Sequence, residues 1–242
     1  MDTKVDHIIK RMGQLESARA PWESLWQDCT DFVNPRRGDF SIERGKGDRT
    51  RYDKVYDSTA PLANEQLASG LHGFLTSSAE QWFSLTIPQV DDILSQSVRN
   101  WLQGTTETMF DEVFNTPESN FTTSVHELYL DLGAYGTAVM YVDDRPGRPI
   151  NFRTFHLAEC YIAEDSEGRV DVLYRKYKHT ARQLVQMYPD QLPEKFIETA
   201  YKQPHQEFTC IHAVEPRDTY SPKTKMSTQM PFSSCYVLME EK

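Results

Sequence analysis

The chain has 242 residues, of which 38% are apolar and 26% charged, with 11 Gly and 13 Pro, and a mean hydropathy of -0.62. That composition excludes a disordered or collagen-like chain and fits one large domain or two small ones, at roughly 100–200 residues per domain. Twenty-six Lys and Arg against 36 Asp and Glu leave a formal charge of -10, which opposes sequence-independent binding of a phosphate backbone by the chain as a whole.

The longest apolar runs are of the type Ala138–Val142, far short of the ~18 residues of a membrane span, and the start Met-Asp-Thr-Lys is polar. Neither a secreted precursor nor an integral membrane protein is expected. Cys29, Cys160, Cys210 and Cys235 stand singly, with no disulfide framework and no CxxC metal clip, which suits synthesis in a reducing cytoplasm.

In chain order, Val5, Ile8, Ile9, Met12 and Leu15 share one helical face. Trp22, Leu25, Trp26, Cys29, Phe32 and Val33 repeat the spacing after Pro21. Two packed amphipathic helices are therefore predicted, ended by Asn34-Pro35. Residues 34–54 hold seven basic side chains (Arg36, Arg37, Arg44, Lys46, Arg49, Arg51 and Lys54) and four acidic ones, a net of +3 that leaves -13 on the rest. With three glycines and little apolar content, 36–53 reads as a long loop or arm.

Asp57-Ser58-Thr59 opens a helix with Pro61 in its first turn, and Gly70 and Gly73 on that helix predict close approach by another backbone. Trp82–Ile87 reads as a strand stopped by Pro88. Two more helices carry Leu94 to Val113 and Phe121 to Leu132. The apolar period then changes from 3.6 to 2. Residues 137–142 and 150–155 flank one turn, 161–163 and 170–177 flank a second, and both pairs read as antiparallel hairpins. Thr180 is an expected N-cap, Pro193 opens a helix to about Lys202, and 207–214 and 235–240 are expected strands. A final apolar strand ending at the terminus would be an open sheet edge, which suggests the N-terminal part of a longer protein. The fold class is α+β: N-terminal helices over 1–134, with the basic loop at 35–54, and then an antiparallel β-rich region over 135–242.

Phosphate-loop, dinucleotide, H-E-x-x-H and G-x-S-x-G patterns are absent, and Gly45-Lys-Gly47 is too short to cradle a phosphate. The seven histidines (His7, His72, His126, His156, His179, His205 and His212) show no ligand spacing and read as surface or structural groups. Asp143-Asp144 offers hard oxygen ligands for a cation, but beside Pro146-Gly147 it reads first as a solvated hairpin tip. Trp22, Trp26, Trp82 and Trp101 are packing or interface candidates, with the core as the first expectation. The basic arm suits contact with a neighbouring subunit or partner, contact with nucleic acid, or no role beyond a solvated loop. No cofactor, metal or catalytic group is expected.

Several separated motifs carry a resemblance. Ala20-Pro-Trp-Glu-Ser-Leu-Trp-Gln-Asp28 to Val33-Asn-Pro-Arg-Arg-Gly38, then Tyr56-Asp-Ser-Thr59, Leu67-Ala-Ser-Gly-Leu-His-Gly73 and Trp82-Phe83, look like the opening of the head-to-tail connecting protein of short-tailed bacteriophages. Leu128 to Thr137, Ala163 to Asp171, Tyr174-Arg-Lys176 and His212 to Arg217 continue it in order. The resemblance implies a structural portal protein rather than an enzyme: a homo-oligomeric, dodecameric ring at one capsid vertex, through which double-stranded DNA is packaged and ejected. Its implied partners are the major capsid and scaffolding proteins, the packaging motor and the tail adaptor proteins. Its implied location is the virion, after assembly in the host cytoplasm, with no membrane partner. The present chain resembles the N-terminal wing portion. The competing expectation is a nucleic-acid-binding protein acting through the 36–54 arm.

Overall fold

The computed structural model describes residues 3–40, 55–88, 95–144, 150–189, 192–221, 223 and 226–239. Helices come first and antiparallel strands follow, the expected α+β order. The chain forms two compact units, Met1–Pro21 with Glu159–Lys242 and Trp22–Ala158.

The first 30 described residues form one helix, α1 (Thr3–Phe32), with Pro21 inside it, where the sequence predicts two. A proline in a helix forfeits one i to i−4 hydrogen bond and crowds the preceding turn, at a cost of about 3 kcal/mol. Long-range contacts on both sides offset that cost. Before Pro21, Arg19 donates to the Cys160 carbonyl at 2.9 Å and lies 3.7 Å over the Tyr161 ring. After it, Thr30 shares a hydrogen bond of 3.0 Å with the Tyr135 hydroxyl.

In the first unit, β3 (Cys160–Glu164), β4 (Val170–Thr180), β5 (Glu207–Pro216) and β6 (Phe232–Met239) form an antiparallel sheet in that order. Alternation along the strands separates its faces. Ile8, Met12 and Leu15 of α1 pack on Tyr161, Val172, Tyr174, Ile211, Ala213 and Val237. Tyr177, Cys210 and Leu238 turn the other way, toward Leu184 of α5 (Ala181–Met187) and Phe196 of α6 (Glu194–Lys202). Thr180 caps α5 in a reciprocal box, its hydroxyl accepting from the Gln183 N–H while Gln183 Oε1 accepts from the Thr180 N–H at 2.9 Å.

The second unit holds the rest of α1, α2 (Thr59–Leu75), α3 (Gln96–Met109), which runs into a π-helical turn Phe110–Phe114, α4 (Phe121–Tyr135), and the hairpin β1 (Val139–Asp143) with β2 (Asn151–Phe155). Asn120 enters α4 in the left-handed region at φ 58°, a conformation Asn tolerates better than most residues. Ala68, Phe121, Val125, Tyr129 and Phe152 form the core. At Gly133 of α4 a Cβ would collide with the Asn64 side chain of α2, and the Asn64 amide donates to the Leu130 carbonyl at 3.1 Å. Gly70 and Gly73, expected to admit another backbone, have open space around them.

Residues 81–87 form no strand. Leu85 N–H donates to Thr106 Oγ1 at 3.1 Å, and Trp82 and Phe83 pack on Phe114 with ring centroids 5.3 Å apart. The run is apolar because it joins an aromatic cluster, not because a neighbouring strand pairs with it.

Candidate functional site

The second half of α1 inverts the expected burial. Gln27, Thr30 and Asp31 are buried, while Trp22, Leu25 and Phe32 of the predicted apolar face are 56%, 53% and 46% exposed. A polar face can be buried when its groups find partners. Gln27 spans from helix to loop: its amide donates to Asp31 at 3.1 Å and Asp39 at 2.9 Å, and its carbonyl accepts from the Phe40 N–H at 2.8 Å. Gly38 lies against the His156 ring, whose Nε2 is 2.7 Å from the Gly38 carbonyl. These bonds fasten the first residues of the basic arm.

Arg37 leaves that loop toward α4. Its Nε is 2.9 Å from Asp131 Oδ1, one terminal nitrogen is 2.6 Å from Oδ2, and the other is 3.5 Å from Glu127. Asp131 is 1% exposed. Burial acts to lower the Arg37 pKa, but the hydrogen bond and charge of Asp131, with Glu127 behind it, outweigh burial and raise it. The guanidinium therefore stays charged, with its charge spent on two carboxylates of its own chain. Arg36 is exposed beside it, on the wall of a cavity of about 610 Å³ that also includes Leu62, Glu65 and Glu127. Both signs of charge line that cavity, so it is no phosphate cradle. Arg44, Lys46, Arg49, Arg51 and Lys54 lie outside the described residues.

The tryptophans separate. Trp82 stacks on Phe121 with ring centroids 6.0 Å apart. Trp101 on α3 is 66% exposed, so neither it nor Trp22 is a core side chain. Trp22, Trp26, Phe40 and Tyr135 form a ladder of rings with successive centroids at 6.3, 5.4 and 5.3 Å, which runs from the exposed Trp22 to the buried Tyr135. Burial pushes the Tyr135 hydroxyl up to about 12, so it stays protonated.

Asp143 closes β1 and Asp144 follows it, while Pro146 and Gly147 lie outside the described residues. Among the described residues no group of three His, Cys, Asp or Glu can hold a metal ion. His212 is buried, stacks on Tyr236 at 4.1 Å and shares a hydrogen bond of 2.9 Å with Ser234; burial, with the Arg175 charge, pushes its pKa down to about 4. No described helix is long and apolar enough to cross a membrane.

Sequence reasoning missed Asp131 as Arg37's partner. The one signal was an acid set among Leu128, Tyr129, Leu132 and Tyr135 on α4, where an unpaired carboxylate would be costly.

The family model described as bacteriophage head to tail connecting protein matches residues 5–242. The "Probable portal protein" of Bordetella phage BPP-1 is 32% identical over 234 residues, 95% of this chain and 41% of the relative. The "Portal protein" of Salmonella phage epsilon15 is 34% identical over 187 residues, 77% of this chain and 33% of the relative. The chain thus spans less than half the length of these curated relatives.

Proposed function

The chain belongs to the family of bacteriophage head to tail connecting proteins, and on that premise we propose that it serves as the N-terminal wing part of a portal subunit. The subunit closes with its copies into a ring at one capsid vertex, assembled in the host cytoplasm and carried in the virion. Capsid and scaffolding proteins, the packaging motor and tail adaptors meet that ring, and double-stranded DNA passes through it. The role is structural rather than catalytic. The helical first part and the β-rich second part, divided near residue 134, both belong to this wing.

The match running from residue 5 to residue 242 carries the reading. Charge supports it: at -10 the chain repels a passing duplex, whereas many phosphate contacts would hold DNA in place. Exposed large aromatic side chains on α1 and α3 suit subunit packing, where Trp and Tyr concentrate binding energy.

Antibodies raised against the chain and coupled to gold test the proposal on gently disrupted virions. Label confined to the tail vertex is expected. Label spread over the shell, or absent from particles that contain DNA, overturns it.

A further inference from the structure

Three elements of the Trp22–Ala158 unit wall the cavity of about 610 Å³: the turn that ends α1, the first turns of α2 and the middle of α4. Each wall is tied to another. Arg37 fastens the turn to α4 through Asp131 at 2.6 and 2.9 Å, and the Asn64 amide fastens α2 to α4 through the Leu130 carbonyl at 3.1 Å. The turn itself closes around Pro35, where the Arg37 N–H donates to the Asn34 carbonyl at 3.0 Å. The cavity has the size of a ligand site, and with its walls fixed beforehand little order remains to be imposed on binding.

One polar group on its wall is uncommitted. Asn34 is 9% exposed and lines the cavity, and its side-chain amide makes no hydrogen bond to any described residue. A buried amide without a partner is costly and uncommon in a folded chain. Turned into a cavity, it marks a place for a group that both donates and accepts, as a peptide bond does.

Charge narrows the ligand. Glu65, Glu127 and Asp131 line the cavity against Arg36 and Arg37, and Asp131 is committed to Arg37. Glu65 lies 3.0 Å from the His126 ring nitrogen and Glu127 3.5 Å from Arg37, and their side chains are 50% and 44% exposed. Each carboxylate has acceptor positions left for an incoming donor. A cation is favoured there and an anion opposed, in the same sense as the charge of -10 on the whole chain. Pro61 and Leu62 add an apolar wall that suits the methylene stem of a long basic side chain. We propose that the cavity binds a peptide segment of a partner protein, with a main-chain amide of the segment paired to Asn34 and a lysine or arginine side chain held by Glu65 and Glu127.

The test uses the whole chain, labelled for amide NMR, and three probes: acetyl-Gly-Lys-Gly-amide and its analogues with norleucine or glutamate in place of lysine. The lysine probe is expected to saturate, to shift the Asn34 side-chain signals, and to bind at least about tenfold more tightly than the glutamate probe, with norleucine between them. Asn34→Leu identifies those signals by their loss and, breaking no side-chain bond of the fold, should weaken the lysine probe about tenfold. Thermal melting checks that it is folded. Glu65→Gln combined with Glu127→Gln, altered only at half-exposed side chains, should bring the lysine probe down to the norleucine value and decides the matter if Asn34→Leu melts early. A lysine probe that does not saturate, a glutamate probe that binds as well, or a folded variant that binds lysine as the parent does overturns the inference. Binding is read on the isolated chain, so it stands or falls separately from the position of gold label on the virion.

Discussion

The two halves of α1 obey opposite rules. In the first half Ile8, Met12 and Leu15 face inward and meet the four-stranded sheet, as helical periodicity predicts, while Ile9 of the same predicted face is 41% exposed. From Trp22 to Phe32 the inward face is Gln27, Thr30 and Asp31, while Trp22, Leu25 and Phe32 are about half exposed and Trp26 and Cys29 are half-buried. The first half contributes by removing apolar area from water, a gain that depends little on direction. The second half contributes through directed hydrogen bonds that fix one loop geometry, and leaves Trp22, Leu25 and Phe32 about half exposed. An exposed apolar helix face in a chain that buries polar groups nearby marks a place where stability was not the only constraint.

The largest effect is expected where the polar half is most exposed to failure. Arg37→Met leaves Asp131 buried without its cation and should cost about 4 kcal/mol in urea unfolding. Adding Asp131→Leu should recover a large part of that loss, because the uncompensated charge goes with the carboxylate. An Arg37→Met loss under about 1 kcal/mol would mean that the pair does not organise this half.

In the apolar half, Ile8→Ala removes a side chain that is 1% exposed and should cost about 3 kcal/mol by transfer and cavity terms. A value near zero would break the contrast from the other side.

His212 tests a polar group inside the four-stranded sheet. Its folded pKa of about 4 lies below the ordinary value of 6.5, so the folded state prefers the neutral ring. The stability it allows is fully present above pH 6.5 and is lost as pH falls toward 4, with roughly 2 kcal/mol gone by pH 5. His212→Gln should flatten the stability profile between pH 5 and 7; an unchanged profile would place the dependence elsewhere.

The smallest effect belongs to the exposed apolar side chains of α1. Leu25→Ala should alter monomer stability by less than about 0.5 kcal/mol, in contrast to Ile8→Ala on the same helix. A large loss in a confirmed monomer would show that Leu25 is packed within its own chain.

Much of the fold is legible in the residues because its signals are local. Both hairpins, the Thr180 cap, the Pro193 start and α4 follow from alternation, turn composition and capping chemistry. Trp82–Ile87 misleads because an apolar run has no single meaning, and whether it pairs as a strand depends on a neighbour that local sequence does not name. Gly133 rather than Gly70 or Gly73 marks the close α2–α4 approach, since a helical glycine has the same local character whether or not another helix crosses it.

By itself the sequence determined that α1 has an apolar face in each half, that helices precede antiparallel strands, and, through ordered motifs, which family the chain resembles. Only the tertiary structure decided which face of each half is buried, carried α1 through Pro21, and brought Arg37 to Asp131. Periodicity states which side chains share a surface; what that surface meets is set by partners distant in the chain. Gln27 is buried because Asp39 and Phe40 reach it, and Asp131 because Arg37 does. Without those partners, desolvation would oppose burial of the same polar face.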